Sequence, residues 1–577
     1  MSADAVAELV SEHGRVVREV VLALGERGWT LADLVREFAV PRRTVEEVLT
    51  AVGDDLAPGE LLRIQGDRVA SYRERFGSVA TELADPLGPA LATAGDLLAE
   101  VGRLRAAAPP PRRALDHVAA TPETAVRRAL WLDAHFDLDG AHLLCVGDHD
   151  LTALATCLLR PGLTATVVDV DERLLAYVDS VGLGIRCVFG DLRFGLPSVA
   201  AGRAGIAFTD PPYTPDGIGL FLERAIEGLA PGGRILLAYG FSPRTPALGL
   251  AVQRTFGELE LAVQAQWPAF SRYVGAQAIG SASDLYLLLP TSRARRKGRV
   301  KPTIYTHGEQ SAEATATLDP VLATTLLSSA SGPDRLPVLG VTPVPGTLAP
   351  ATALGAAAGR AAPGGAAAGG AVTGGAVTGG GGASSGALSG ERALGAVWSG
   401  GVPGPARAGA VAVDASADPG AWLLRILLAV DAQRVAVAVA NNHPDLADAA
   451  GQKALADLVA PKWSLRFRRS TPGPAAAIVE AVTAPTADDP GDRLVRHVLD
   501  RAHGRLVNVW RDGLVTHAEL SKPDAATCVA NFLPAAAGEG SAAPSPGGLE
   551  GEGTLMEIPR HRLAPLLAAI RASAHAD

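Results

Sequence analysis

Cysteine is scarce, with four residues in 577. Cys145, Cys157, Cys187 and Cys528 form no Cys-x-x-Cys pair and match no ligand spacing, so no metal centre is expected. Cys145 and Cys157 sit in apolar runs and are expected as core thiols. A long unbroken apolar run is also lacking. The stretch from Trp422 to Ala440 is interrupted by Arg425, Asp431 and Arg434, which argues against a membrane span. Ser2 to Arg15 is polar and charged, so no secretory signal is expected and the expected compartment is the cytoplasm. Positive charge is in deficit, with 52 Lys and Arg against 61 Asp and Glu, a net charge of −9. That balance leaves nucleic acid open as a partner but does not favour it, and it tolerates a cationic substrate.

The three-glycine fingerprint of a dinucleotide site is missing as well. What stands in its place runs from His142 to Thr214. The apolar run Leu143–Val146 breaks at Gly147 into Asp148, His149 and Asp150. A second run, Val167 and Val168, ends in Asp169 and Asp171. A third, Ile206–Phe208, ends in Asp210-Pro211-Pro212-Tyr213. Strands alternating with amphipathic helices make βαβ units, with functional groups at the carboxyl ends of the strands. Two carboxylates at the first turn would repel a phosphate at close range. The turn suits a nucleoside ligand that is cationic and carries no phosphate. Asp169 or Asp171 is placed to bond ribose hydroxyls. An S-adenosyl sulfonium compound meets both demands, and decarboxylated S-adenosylmethionine, with its free ammonium and no carboxylate, meets them better.

The Pro-Pro turn is the most specific signal. Two prolines fix φ and disfavour helix, holding Asp210 out on a stiff turn. Its carboxylate and nearby carbonyls can grip an amine N–H while the nitrogen attacks an activated carbon. Such motifs occur in enzymes that alkylate an amine nitrogen, where the aromatic residue stacks on a base.

These residues together resemble the branched-chain polyamine synthase (bis-aminopropyl spermidine synthase) family, which transfers aminopropyl groups to spermidine. The family's Gly-Asp-Asp-Asp-Leu-Thr turn is matched by Gly147-Asp148-His149-Asp150-Leu151-Thr152. Its Asp-Ile-Asp-Glu-Arg-Leu strand end is matched by Asp169-Val170-Asp171-Glu172-Arg173-Leu174. Gly190-Asp191-Leu192-Arg193 and Thr209-Asp210-Pro211-Pro212-Tyr213-Thr214 match two further segments. Upstream, Leu115-Asp116-His117 and Thr121-Pro122-Glu123-Thr124 match as well. The likeness covers roughly residues 114–290. The chain departs at His149, at Tyr213, and at 276–284, where the family is acid-rich.

The resemblance implies an aminopropyltransferase using decarboxylated S-adenosylmethionine and a polyamine. Gly147, Asp148, Asp150, Asp169, Asp171 and Asp191 would hold the co-substrate. Asp116, Glu123, Pro211 and Pro212 would bind the acceptor, and Asp210 and Tyr213 would serve the reaction. One alternative is an S-adenosylmethionine-dependent methyltransferase acting on an amine of a base or small molecule. Another is a non-enzymatic regulator that senses a nucleoside or polyamine.

The expected fold is α/β. A Rossmann-like (class I methyltransferase-like) parallel sheet occupies residues 114–290. A winged-helix-like domain precedes it at 1–80, with a helical connector at 81–113. In the N-terminal domain Thr30 caps one helix, another runs from Arg42 through Ala51, and Leu61–Ile64 and Arg68–Ser71 read as two strands of a hairpin. Arg42 and Arg43 start the helix that would read DNA, but the acids around them favour a protein contact, and a homodimer through this domain is open. Residues 291–343 read as a basic extension and 344–420 as an Ala/Gly-rich linker. Residues 421–577 read as a C-terminal α+β or α/β domain of unassigned role. It has one long amphipathic helix through Leu494, Val498, Leu499, Ala502, Leu506 and Trp510, and histidines that match no metal pattern.

Overall fold

The computed structural model describes residues 2–77, 84–294, 319–342, 388–400, 409–418, 420–536 and 552–576. The chain forms two compact units, one holding Met1–Ser311 and the other beginning at Ala312. Among the described residues no helix is long and apolar enough to cross a membrane.

The first unit opens with five helices: α1 (Ser2–His13), α2 (Arg15–Leu24), α3 (Leu31–Phe38), α4 (Arg42–Val52) and α5 (Val69–Phe76). Val17, Val20, Val21 and Leu24 put the helical period of α2 into their common core. Thr30 caps α3, its Oγ1 accepting the Asp33 amide at 3.1 Å. The expected hairpin is absent in that form. Trp29 pairs with Leu62 and Leu56 with Ile64 as single bridges, while Arg68–Ser71 leads into α5. Tyr72 and Phe76, four residues apart, are both buried, so helical spacing outweighs the strand reading. The face of α4 is not open either. Arg42 donates to the Gln277 side chain at 3.2 Å, and Arg244 to Thr44 Oγ1 at 3.1 Å and to Glu47.

Helices α6 (Gly88–Thr93) and α7 (Gly95–Ala107) lead to α8 (Pro122–His135), which Thr121 caps. The sheet then forms from β1 (His142–Val146), β2 (Thr164–Asp169), β3 (Arg186–Phe189), β4 (Ala204–Thr209), β5 (Leu229–Tyr239), β6 (Leu261–Arg272) and β7 (Ala282–Pro290). Helices α9 (Thr152–Leu159), α10 (Glu172–Ser180), α11 (Pro215–Gly228) and α12 (Pro246–Glu258) are the crossovers. Strand order is β3-β2-β1-β4-β5-β7-β6. β1 to β5 are parallel and β7 runs antiparallel to both neighbours, so the sheet is mixed at one edge. The order reverses between β1 and β4, the place where open α/β sheets bind ligands. Cys145 and Cys157 are buried in this core as expected.

The second unit corrects two boundaries. Within the expected basic extension lie α13 (Pro320–Ser331) and β8 (Val338–Thr342). Within the expected linker lie β9 (Leu388–Ala393), α14 (Gly395–Trp398) and β10 (Ala410–Asp414). After α15 (Trp422–Ala429) come β11 (Arg434–Ala440), α16 (Ala449–Val459), β12 (Trp463–Arg468) and β13 (Ala476–Thr483). These strands make one sheet in the order β12-β13-β11-β10-β8-β9. Every residue of β10 is buried, as a short parallel strand covered on both faces must be. Such a strand is five residues of Ala, Val and Asp, hidden in a biased stretch. Residues 344–387, and the basic run from Arg295 to Lys301, lie outside the described residues.

The long helix is two, α17 (Pro490–Leu499) and α18 (Leu506–His517), followed by α19 (Lys522–Ala536) and α20 (Arg560–Ser573). α17 and α18 cross where Gly513 faces Leu494, a Cβ there falling 2.5 Å from Leu494 Cδ1.

Gly240 ends β5 against the backbone of β7. A Cβ there would lie 2.7 Å from the Ala282 carbonyl oxygen and 3.1 Å from Ser283 Cα. Backbone cannot rotate out of the way. Gly240→Ala should therefore cost about 1–3 kcal/mol, the usual penalty of overpacking, read as a lower denaturation midpoint at unchanged slope.

Candidate functional site

A cavity of about 670 Å³ opens over the carboxyl ends of β1 to β4. Its floor is a series of strand-end turns. Gly147 leaves β1 with φ +71°, the left-handed region that glycine enters without steric cost. The next residue turns inward. Asp148 accepts the Thr152 amide at 2.8 Å on one oxygen and the Ala153 amide at 2.9 Å on the other, tying the turn to the start of α9. Burial pushes its pKa up to about 8, against the pull of those two amides.

Asp169 ends β2 in the same way. Its oxygens accept the Asp171 amide at 2.8 Å and the Asp148 amide at 3.3 Å, and burial raises its pKa to about 7. Asp191, after β3, is bound by Arg193 at 2.6 Å. Asp210, after β4, accepts three hydrogen bonds. One oxygen accepts Tyr213 OH at 3.0 Å. The other accepts Tyr273 OH at 2.6 Å and Arg128 Nη2 at 2.7 Å.

Arg128 is the residue that sequence reasoning missed. It projects from α8 with no solvent exposure and reaches Asp150 at 2.9 Å through Nη1 while holding Asp210 through Nη2. Ser271, Tyr273 and Thr152 accept its remaining N–H groups, and its plane lies over the Phe208 ring at 4.8 Å. Burial works to raise Asp150, but Arg128, the Ala120 amide and its other neighbours together outweigh it and hold that carboxyl below its usual range. Asp210 goes the other way. Burial pushes it up, with Asp150 adding to the rise and Arg128 opposing it. The missed signal was an arginine on a helix whose other positions, Ala125, Ala129 and Leu132, are core.

His149 occupies the middle of the first turn. Its Nε2 lies 3.0 Å from Arg105 Nη2. A guanidinium only donates, so Nε2 accepts and the ring proton sits on Nδ1. Burial holds the ring neutral, its pKa near 4, and His117 stacks on it at 4.4 Å. A neutral ring pair thus replaces a charge at this position.

Of the residues singled out from sequence, Gly147, Asp148, Asp150, Asp169, Asp191, Asp210, Tyr213, Asp116, Pro211 and Pro212 all line the cavity. Two do not. Asp171 caps α10 and pairs with Arg173 at 2.6 Å, leaving the inward position at the end of β2 to Asp169. Glu123 sits exposed in the first turn of α8, where an acid suits the helix dipole. Tyr273 and Ser283 join the site from β7 and its neighbouring loop, which sequence spacing alone could not place.

Residues 96–298 match the family model of the branched-chain polyamine synthase A C-terminal domain. An uncharacterized protein of Methanocaldococcus jannaschii is 35% identical over 179 residues, covering 30% of this chain and 45% of that protein. The N(4)-bis(aminopropyl)spermidine synthase of Thermococcus kodakarensis is 32% identical over 139 residues, 23% of this chain and 40% of the relative. The chain thus spans less than half the length of these two curated relatives. Among solved structures, the branched-chain polyamine synthase from Thermus thermophilus, in complex with N4-aminopropylspermidine and 5′-methylthioadenosine, aligns at 21% identity with a TM-score of 0.39, over 53% of this chain and 98% of that one. Over residues 96–298, its strand-end motifs and these sequence matches make the chain similar to the branched-chain polyamine synthase family.

Proposed function

We propose that this protein transfers an aminopropyl group from decarboxylated S-adenosylmethionine to an amine nitrogen of a polyamine. The observation that carries the reading is Asp210, a partly buried carboxyl group on a stiff Pro-Pro turn, lining a cavity whose floor is otherwise formed by strand-end acids. Asp169 is the acid placed for the ribose hydroxyls, and Asp191 lies where the adenine would sit. Asp148 and Asp150 face the aminopropyl ammonium. Each of their oxygens retains a lone pair beyond the bond it already accepts.

An alkylammonium has a pKa of about 10.4 and is mostly protonated at neutral pH, so the acceptor must lose a proton before it attacks. Asp210 is suited to take it. Burial raises its affinity for a proton, while Arg128 and the two tyrosines keep the charged form accessible. The amine lone pair forms the new C–N bond at the methylene next to sulfur. The C–S bond breaks, and its electron pair neutralises the sulfonium to give 5′-methylthioadenosine. No covalent enzyme intermediate is needed. The five N-terminal helices are read as a protein-contact module, since α4 already bonds to the catalytic domain.

The direct test incubates the full chain with decarboxylated S-adenosylmethionine and a polyamine and measures aminopropylated product by mass spectrometry. Tighter binding of S-adenosylmethionine than of the decarboxylated form would favour the methyltransferase reading instead. Asp210→Asn should slow turnover by about 10²–10⁴ with nearly unchanged affinity for 5′-methylthioadenosine in calorimetry. Near-wild-type turnover in that variant would remove Asp210 from the chemical step.

The pH profile gives a second check. Turnover should fall on the acid side as Asp210 takes up a proton, at a pH above the ordinary carboxylate value of about 4. Tyr273→Phe removes an O–H donated to the ionised form, so the acid limb of kcat should move to higher pH. A limb that stays put or moves down would assign it to another group.

A further inference from the structure

The second unit repeats the architecture of the first. Read from its other edge, its sheet runs β9-β8-β10-β11-β13-β12. The first sheet runs β2-β1-β4-β5-β7-β6 once its outer strand β3 is set aside. Directions agree at every pairing. β9, β8, β10 and β11 are parallel, as β2, β1, β4 and β5 are. β13 is antiparallel to both of its neighbours, as β7 is. The helices fall in the same places. α13 precedes β8 as α8 precedes β1, and both begin with a proline after a capping side chain. α15 follows β10 as α11 follows β4, and α16 follows β11 as α12 follows β5. Six strands and three helices in one order and one set of directions make this the same fold.

Register shows what stands in place of the site. In the first sheet Val146, the last residue of β1, pairs with Val168, and Cys145 pairs with Phe208. In the second, Thr342, the last residue of β8, pairs with Ala393, and Val341 pairs with Val413. Matched through these pairs, Leu394 takes the place of Asp169 and Ala415 that of Asp210. The next pairing agrees, Asp414 lying opposite Ala438 where Thr209 lies opposite Leu237. Leu394 and Ala415 are both buried. Asp148 and Asp150 follow β1, whereas residues 343–387, which follow β8, contain no Asp or Glu. The acids that remain after β10 serve their own loop. Asp414 accepts the Ser416 amide at 3.0 Å and its hydroxyl at 2.7 Å, and Asp418 accepts four amides from Gly420 to Leu423.

We infer that the second unit is a silent copy of the transferase fold, in which buried apolar side chains stand where the first unit has its ribose-binding acid and its base. The chain thus holds two such folds and one nucleoside site. The inference rests on the nucleoside-donor reading of the first unit. A ribose or an ammonium brought to Leu394 and Ala415 would lose water and gain no carboxylate there.

Calorimetric titration of the full chain with 5′-methylthioadenosine, decarboxylated S-adenosylmethionine and S-adenosylmethionine should give one equivalent per chain for each ligand that binds. Asp169→Asn should weaken that single class of site by about tenfold or more, the scale of a lost hydrogen bond to a charged group, with no second class left unchanged. Hydrogen exchange on the wild-type chain locates the site without a variant. Added 5′-methylthioadenosine should slow exchange at 147–150, 169–171 and 190–193, and leave 393–396 and 414–418 as they were. A second equivalent, or protection at 393–396 or 414–418, would overturn this inference and leave aminopropyl transfer by the first unit standing. Binding of none of the three ligands would overturn the donor reading itself, and this inference with it.

Discussion

Arg128 between Asp150 and Asp210 is the contact on which the site depends. One guanidinium bridges the two carboxyl groups, 2.9 Å from Asp150 and 2.7 Å from Asp210. Without the cation, two acids so close would disfavour each other's ionisation. With it, the two acids part company. Asp150, which also accepts the Ala120 amide at 2.8 Å, is held as the charged member, while Asp210 is left with the higher proton affinity. One arginine thereby touches two acids whose proton affinities shift in opposite directions. A buried ion pair of this kind adds little net stability, because desolvation consumes most of the Coulomb gain. Its value lies in fixing which acid carries the proton.

Geometry around Asp210 is fixed from three directions at once. The Pro-Pro turn sets its backbone, α8 supplies Arg128, and the β6–β7 loop supplies Tyr273. Tyr273 in turn is placed by Ser283 at 2.8 Å, on the strand that approaches Gly240 too closely for any side chain. A change that opens β5 from β7 would therefore act on Asp210 through the tyrosine.

Much of this was legible in the sequence because its chemistry sits at strand ends. Asp148, Asp169 and Asp210 come at the ends of apolar runs and could be assigned to one end of a parallel sheet before any contact was known, whereas Asp191 came from the family resemblance. The choice between Asp169 and Asp171 was not legible. Both follow β2, and only the start of α10 decides that the second one caps a helix. Arg128 was illegible for a different reason. Its two partners lie 22 and 82 residues away, and the core face it shares with Ala125, Ala129 and Leu132 does not name them. The errors in the second unit share one cause. Strands of five or six small residues, such as β10, look like linker by composition, and only burial between helices identifies them as core.

The loop after Tyr273, which lines the cavity, has its own constraint, and it links the N-terminal helices to the site. Residues 275–281 form a tight loop in which Ala276 and Ser281 both take left-handed backbone, at φ +50° and +52°. Non-glycine residues there cost roughly 1–2 kcal/mol each, so the conformation must be held from outside. Some support is internal, the Ser281 amide donating to Ala276 and the Tyr273 amide to Ser281. The rest comes from the N-terminal domain. Gly280 packs so closely on the Ala39–Val40 backbone that a Cβ would lie 2.6 Å from the Ala39 carbonyl, and Arg42 of α4 holds Gln277. The helix whose arginines suggested a DNA-reading surface thus has one of them spent on the loop that carries the cavity wall. Its position ties it to the shape of the cavity.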